Sequence, residues 1–175
     1  MFEALDNPVF LVLWTAANVL GLLLLLTAVF KARQARWMYI LLFAWAAWTN
    51  YSTAQNDPQA YLEYADLTWS DTYATIIRGP FAARIVHYVE LVALCQALIV
   101  LGLLLKGIIT RVACLGGIVF LLAITPFGVG SGFPSPLLMA AGLFLVMRKE
   151  SRRWPWLAEQ VIPVEAVVED EAVEG

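Results

Sequence analysis

The sequence has little charge: only 14% of its 175 residues are Asp, Glu, Lys or Arg, whereas 61% are hydrophobic. A soluble domain has about 25% charged and about 45–50% apolar residues, so this composition excludes an ordinary soluble fold. Nucleic acid is excluded as a partner as well, because no part of the chain resembles a solvated basic face. The shortage of charge instead predicts a membrane protein, with the lipid bilayer as its first partner.

Histidine and cysteine are scarce. The single histidine, His87, cannot provide a bis-histidine haem or a paired Glu-x-x-His di-iron site within one chain, so we predict no metal site. The two cysteines, Cys95 and Cys114, lie in apolar runs, which predicts small buried side chains and no disulfide. The chain also lacks a phosphate-binding loop, a dinucleotide fingerprint and a Ser-His-Asp set, which argues against hydrolysis and phosphoryl transfer.

Five stretches are long and apolar enough, or nearly so, to cross a hydrocarbon core about 30 Å thick. They occupy residues 8–30, 37–54, 82–105, 108–124 and 136–150. The first is not a secretory signal, because no positive charge precedes it and no small-residue cleavage site follows it. The last is short and gains length if Ser135 caps it, with Pro136 in its first turn. We therefore predict an all-α, polytopic membrane helical bundle over residues 1–153.

Lys and Arg are segregated along the chain. Nine of the 11 lie at span ends that share one side of the membrane: Lys31, Arg33, Arg36, Lys106, Arg111, Arg148, Lys149, Arg152 and Arg153. Positive residues mark the cytoplasmic side. This predicts a protein of the bacterial cytoplasmic (inner) membrane with its N-terminus outside and its C-terminus in the cytoplasm. Arg78 and Arg84 fall on the outer side, which positive residues usually avoid, so a different role is expected for them.

The outer loop, residues 55–80, is longer than most helix connections and carries two signals for short helices. Asp57 precedes a proline at the first helical position, and Ser70 is an N-cap, with the Gly-Pro pair at 79–80 as the stop. Its aromatic residues form either a belt at the membrane surface or a lid over a pocket. They are Tyr61, Tyr64, Trp69 and Tyr73.

Two other segments interrupt the helical pattern. "TPFGVGSGFPSP", residues 125–136, contains three glycines and three prolines, so it cannot continue a helix and predicts a flexible outer turn. The tail, residues 154–175, has six acids and no Lys or Arg. Such a composition predicts a disordered cytoplasmic tail, with a docking peptide as the alternative.

The outer half of the third span carries a polar stripe. Arg84, His87 and Glu90 are spaced three apart and share one helical face. If the helix starts near residue 82, Glu90 lies about 12 Å along it, and an ionised acid at the centre of a membrane helix costs about 3 kcal/mol. We therefore expect the stripe to point into the bundle, where Glu90 is protonated, paired or next to water.

Two interpretations of the stripe stay open. It is either a buried ion pair that fixes how the third span packs, or a site open to the outer face. In the second interpretation His87 and Glu90 relay protons, while Arg84 and Arg78 bind a ligand. Nearby polar side chains extend either version: Asn50, Tyr51, Tyr88 and Gln96.

Residues 88–124, "YVELVALCQALIVLGLLLKGIITRVACLGGIVFLLAI", resemble the DoxX family of small bacterial integral membrane proteins. The similar features are a glutamate that opens an apolar helix, an "LGLL" ending, a turn with Thr110 and Arg111, and a returning helix rich in alanine and leucine. A weaker likeness covers residues 38–147. The resemblance implies a four-helix core formed by spans two to five, with span one as an N-terminal addition. "WAAWTNYSTAQ" and "MRKESRRW" depart from the family pattern, which leaves the subfamily open.

The resemblance also implies a function, with Glu90 as the acidic residue that opens the family's second helix. Members are linked to membrane redox chemistry, including a subunit of a thiosulfate:quinone oxidoreductase and complexes with soluble thiol enzymes. The first hypothesis is therefore an accessory subunit in membrane-linked redox or quinone/thiol chemistry, with a soluble or membrane redox partner and quinone as the candidate cofactor. The second is a structural or assembly subunit of a membrane complex. The third hypothesis is a small-solute transporter. The chain shows no inverted repeat of the kind found in many transporters, so a homo-oligomer would have to supply the second half of such a structure.

Overall fold

All regular structure in the described part of the chain is helical, as the composition predicts. The computed structural model describes residues 5–150, and no strand occurs there. The α-helices are α1 (Pro8–Phe30), α2 (Ala32–Asn56), α3 (Tyr64–Leu67), α4 (Asp71–Ile76), α5 (Ile85–Leu104), α6 (Ile108–Ile124) and α7 (Ser135–Glu150). The predicted acidic tail, residues 154–175, lies outside the described residues.

Three helical stretches are long and apolar enough to cross a membrane: Pro8–Phe30, Asp71–Leu104 and Ile108–Ser131. They contain α1, α5 and α6, and most of their large apolar side chains are exposed on the surface of the single chain. The other two predicted spans correspond to α2 and α7. α7 has 16 residues and α2 has 25, which gives lengths of about 24 and 38 Å at 1.5 Å per residue.

The five long helices pack side by side. α2 packs against α5 and α7, α6 also packs against α5 and α7, and α1 packs against α7 and α2. The centre is filled by large side chains from four of these helices, all at most 2% exposed: Tyr39, Phe43, Leu103, Cys114 and Leu143. Polar contacts hold α1 at both of its ends. Trp14 Nε1 donates to the Phe133 carbonyl (2.7 Å), and Lys149 Nζ donates to the Val29 carbonyl (2.7 Å).

The bundle has two ends of opposite charge. The basic end is where α1, α5 and α7 finish and where α2 and α6 begin; its basic residues are Lys31, Arg33, Arg36, Lys106, Arg111, Arg148 and Lys149. The acidic end is the opposite one, and its acidic residues are Asp6, Asp57, Glu63, Asp66, Asp71 and Glu90. The fold therefore brings the basic residues of separate connections to one end and the acidic residues of the other connections to the opposite end.

The start of α2 differs from the sequence prediction. The helix begins at Ala32 and not at residue 37, so that Arg33 and Arg36 are part of it. Its buried residues follow the i, i+3, i+4 spacing of one helical face: Ala32, Ala35, Arg36, Tyr39, Ile40 and Phe43. Arg36 occupies a position in this series that an apolar residue would normally fill.

Arg36 is completely buried and connects four helices at the basic end. Its Nε donates to the Leu103 carbonyl (2.8 Å), its Nη1 to the Glu150 carbonyl (2.9 Å), and its Nη2 to the Leu105 carbonyl and to Thr110 Oγ1 (3.3 Å). The last carbonyls of a helix have no partner within the helix. One guanidinium from α2 therefore caps the ends of α5 and α7 and contacts the first turn of α6.

The outer loop contains short helices, as predicted. Ser70 caps α4 by accepting a hydrogen bond from the Tyr73 backbone N–H (3.4 Å). The Asp57 side chain makes no capping hydrogen bond, although the 3₁₀-helix Pro58–Glu63 follows it directly. The predicted stop at residues 79–80 agrees with a break in the helix, because the Gly79 backbone leaves helical geometry (φ -101°, ψ -106°). The chain continues through the π-helical turn Ile77–Phe81, which is kinked at Gly79, and through a 3₁₀-turn into α5.

The segment between α6 and α7 is a 3₁₀-turn, Thr125–Ser131, that packs against the outer loop. Thr68 Oγ1 donates to the Pro126 carbonyl (2.5 Å). The rings of Tyr64 and Tyr73 contact Phe127, with centroid distances of 5.5 and 5.3 Å. The aromatic residues of the loop therefore join it to this turn and cover the acidic end of α6.

Candidate functional site

A cluster of polar side chains lies between α2 and α5 at the acidic end. We call it the polar cluster, and it comprises two hydrogen-bonded groups: Asn50 with Gln96 and Tyr61, and Gln55 with Glu90. Its centre is an amide pair, in which Asn50 Nδ2 donates to Gln96 Oε1 (2.9 Å). Gln96 is only 2% exposed, so the pair sits inside the bundle.

Helical periodicity explains why the two amides meet. Asn50 follows the buried Phe43 by seven residues, and Gln96 lies seven residues from both Val89 and Leu103, which are buried. Residues seven apart lie on the same face of a helix. Each amide is therefore placed on the buried face of its own helix, and the contact between α2 and α5 brings them together.

Tyr61 closes the cluster from the outer loop. Its hydroxyl donates to Asn50 Oδ1 (2.9 Å), and its ring stacks on Tyr64 with centroids 6.2 Å apart. Burial raises the pKa of both phenols above the ordinary value, so both remain neutral and able to donate. Both functional groups of the Asn50 side chain thus have partners.

Glu90 lies six residues before Gln96 on α5 and is half-buried. Its Oε1 accepts a hydrogen bond from Gln55 Nε2 (2.7 Å). Gln55 is exposed and is one residue from the end of α2, so the Glu90 carboxylate lies level with the last turn of that helix. The expectation that Glu90 is protonated, paired or next to water stays a prediction. The structure adds that α5 begins at Ile85 and that α2 ends close to the carboxylate.

The other two residues of the stripe do not point into the bundle. Arg84 and His87 are both exposed, and Arg84 is the N-cap of α5 with a non-helical backbone (φ -146°, ψ 42°). His87 is two residues from the buried Val89, a rotation of about 200° at 3.6 residues per turn. No hydrogen bond or ion pair within residues 5–150 joins Glu90 to Arg84 or His87. The expected inward orientation of the stripe is thus wrong for these two side chains.

The remaining predicted ligand-binding residues are dispersed over the acidic end. Arg78 pairs with Asp66 at 2.5 Å, but both side chains are more than half exposed, where an ion pair contributes little stability. Tyr88 stacks on Phe81 with centroids 5.7 Å apart, and Tyr51 is 50% exposed. Of the predicted set, only Asn50 and Glu90 belong to the polar cluster.

The cysteines occupy different environments. Cys114 is buried in the core, as predicted, whereas Cys95 is exposed on the surface of α5, which corrects the prediction for it; both are free thiols. No group of three or more His, Cys, Asp or Glu side chains that could hold a metal ion occurs in the described part of the chain.

Sequence reasoning named Asn50, Glu90 and Gln96 as polar candidates and Tyr61 as a loop aromatic, but it missed Gln55 and the contact of Tyr61 with Asn50. A signal for the amide pair exists, since a glutamine in the middle of an apolar helix needs a polar partner. The identity of that partner depends on which helices touch. Tyr61 approaches from a loop whose path the sequence does not determine.

Replacing Gln96 with leucine should remove the centre of the polar cluster. The Asn50 amide would lose its partner, and we expect the free energy of unfolding to fall by about 0.6–2 kcal/mol, the range for a hydrogen bond between membrane helices. Thermal unfolding of the purified protein measures the effect. Cys95→Ala, one position away on the exposed face, is the control. An equal loss in both variants would contradict the assignment of Gln96 to a specific contact.

Comparison with protein-family models, with curated proteins and with solved structures finds no match to this chain. The resemblance to the DoxX family therefore stays a prediction.

Proposed function

We propose that the protein spans the bacterial cytoplasmic membrane five times, with its N-terminus outside and its C-terminus inside. In this arrangement α2, α5, α6 and α7 form a four-helix core and α1 packs on its surface. The sorting of charges into a basic and an acidic end supports the orientation, because positive residues face the cytoplasm. α7 is long enough to cross the membrane if the aliphatic stems of Arg148 and Lys149 extend to the membrane–water interface.

Within this arrangement, the protein acts as an accessory subunit in membrane-linked redox or quinone/thiol chemistry. The observation that carries the proposal is the contact of Glu90 with Gln55 at the acidic end, next to the exposed His87 and Arg84. Further along α5 the exposed side chains are apolar, including Leu91, Leu94 and Leu98, while the residues near its start are polar. Such a boundary suits a molecule with a polar headgroup and an apolar tail, which describes a quinone.

Each polar group of this boundary has a role in the proposal. The Arg84 guanidinium donates to a quinone carbonyl. The His87 imidazole can both donate and accept a proton, and the Glu90 carboxylate, held in place by Gln55, exchanges protons with it and with water. The chain thus supplies binding and protons, and a soluble or membrane partner exchanges electrons with the quinone.

The test measures binding of a short-chain quinone to the purified protein by equilibrium dialysis. His87→Ala and Glu90→Gln should each weaken binding by about 10-fold, because each removes a hydrogen bond worth about 1.4 kcal/mol. Glu63→Gln, which neutralises an exposed acid of the outer loop, is the matched control and should bind as the wild type does. Unchanged binding in both site variants, or no binding by the wild type, would eliminate the quinone site.

A structural or assembly subunit is the second candidate, and the Asn50–Gln96 pair favours it. Amide pairs of this kind hold membrane helices together, and they need no ligand. This candidate predicts that Glu90→Gln lowers the unfolding temperature but leaves every activity of the associated complex intact. The quinone-binding measurement therefore separates the two candidates.

A further inference from the structure

A groove runs between α6 and α7 at the basic end of the bundle, at the opposite end from the polar cluster. Its volume is about 380 Å³. Four apolar side chains and two arginines line it: Ile108, Arg111, Val112, Leu115, Met147 and Arg148. The groove therefore combines a charged mouth with an apolar wall.

The positive charge at the groove comes from both helices. Arg111 lies in the first turn of α6, and Arg148 lies in the last turn of α7, with its guanidinium 5.9 Å from the centre of the Phe144 ring. α6 also starts here, and the Gly107 N-cap offers no side-chain acceptor to its first N–H groups, so the positive end of the helix dipole adds to the charge. Glu150, the acidic residue at this end within the described residues, is buried and does not line the groove.

The apolar wall continues along α6 away from the basic end. Ile108, Val112 and Leu115 are spaced four and three apart and are all more than half exposed. Val119 and Leu122 extend the same exposed face, which gives a track about 21 Å long at 1.5 Å per residue. A small soluble anion would contact only the arginines. A lipid would contact the arginines with its headgroup and the apolar side chains of α6 with its acyl chain.

We propose that this groove binds an anionic phospholipid, with the phosphate between Arg111 and Arg148 and one acyl chain along α6. The inference rests on the proposed membrane-spanning arrangement, in which the basic end faces the cytoplasmic leaflet. That leaflet carries anionic lipids, which attract basic residues near its surface. Because Arg111 lies on α6 and Arg148 lies on α7, a phosphate bound by both would connect the two helices.

The test uses the full-length purified protein in detergent and native mass spectrometry with phosphatidylglycerol or phosphatidylcholine of the same acyl chains. The wild type should retain phosphatidylglycerol preferentially. Arg111→Gln/Arg148→Gln should weaken its binding by about 30-fold, as expected for the loss of two charges near a lipid surface. Phosphatidylcholine should lose less, because its choline group offsets the charge of its phosphate. Arg78→Gln/Arg84→Gln removes the same charge at the acidic end and should bind phosphatidylglycerol as the wild type does.

Two further arms distinguish a lipid site from a site for a free anion. Val112→Trp fills the groove without changing its charge and should weaken binding of both lipids, while millimolar inorganic phosphate should not displace the lipid. Equal retention of both lipids by the wild type, equal losses in the two arginine pairs, or displacement by phosphate would overturn the proposal. Because lipid binding in detergent requires neither the quinone site nor a given orientation, failure here leaves the proposed function standing, and failure of the quinone test leaves this site standing.

Discussion

Replacing Arg36 with methionine should lower the free energy of unfolding by about 3–5 kcal/mol. The carbonyls of Leu103 and Glu150 would each lose a donor in a buried environment, at a cost of about 1–3 kcal/mol per unsatisfied group. The Leu105 carbonyl would keep its hydrogen bond from Thr110 Oγ1 (2.6 Å). Some of that cost is recovered as the ends of α5 and α7 relax. For a chain of this size the thermal midpoint should fall by about 6–20 °C, which thermal unfolding of the purified protein, monitored by circular dichroism, can measure.

Two variants show whether the geometry of the guanidinium is responsible. Arg36→Lys keeps the charge, but an ammonium cannot reproduce the planar fork that reaches carbonyls on two different helices, so it should recover less than half of the loss. Arg84→Met removes an exposed arginine and should change the midpoint by no more than a few degrees. A fully stable Arg36→Met protein would show that Arg36 does not hold the basic end together.

Adding one methyl group at Gly102 should destabilise the protein by about 3 kcal/mol. A Cβ at this position would lie 2.4 Å from the Ala113 Cβ, and both carbons are fixed to helical backbones, so α5 and α6 must separate. Overpacking of this kind typically costs about 1–3 kcal/mol. The shift would also disturb the Arg36 hydrogen bond to the neighbouring Leu103 carbonyl. We therefore expect the effect of Gly102→Ala at the upper end of this energy range.

Two comparisons isolate the close contact between α5 and α6. A Cβ at Gly116 has Ile99 Cγ1 as its nearest neighbour at 3.9 Å, so Gly116→Ala should be neutral or slightly stabilising, because alanine favours a helix over glycine. Gly102→Ala/Ala113→Gly restores the space, and this double variant should recover most of the lost stability. If the double variant is as unstable as Gly102→Ala, the loss of stability is not caused by the clash between the two methyl groups.

The sequence was sufficient to predict the all-helical fold and the two charged ends. Long apolar stretches separated by short turns leave few other architectures, and charges alternate from one turn to the next. The helix ends depended on packing. α2 starts five residues before its predicted span because Ala32 and Arg36 lie on its buried face, and Arg36 has partners on three other helices that no local pattern reveals.

The orientation of the polar stripe could not be predicted, for a physical reason. In a soluble helix the buried face is apolar and the outer face polar, so periodicity identifies the interior. On α5 the face that contacts α2 and the face that carries Leu94 and Leu98 are both rich in apolar residues, because lipid is as apolar as a protein core. The spacing therefore did not show that Glu90 contacts α2 while His87 is exposed.

Labelling of single cysteines in intact bacteria tests the central claim, which is that the chain crosses the membrane with its basic end in the cytoplasm. In a background with Cys95→Ala and Cys114→Ala, one cysteine replaces either the exposed Asp57 at the acidic end or the exposed Lys106 at the basic end. A maleimide that cannot cross membranes should label Asp57→Cys in intact cells and Lys106→Cys only after lysis. Labelling of Lys106→Cys in intact cells, or labelling of both positions from the same side, would contradict the account.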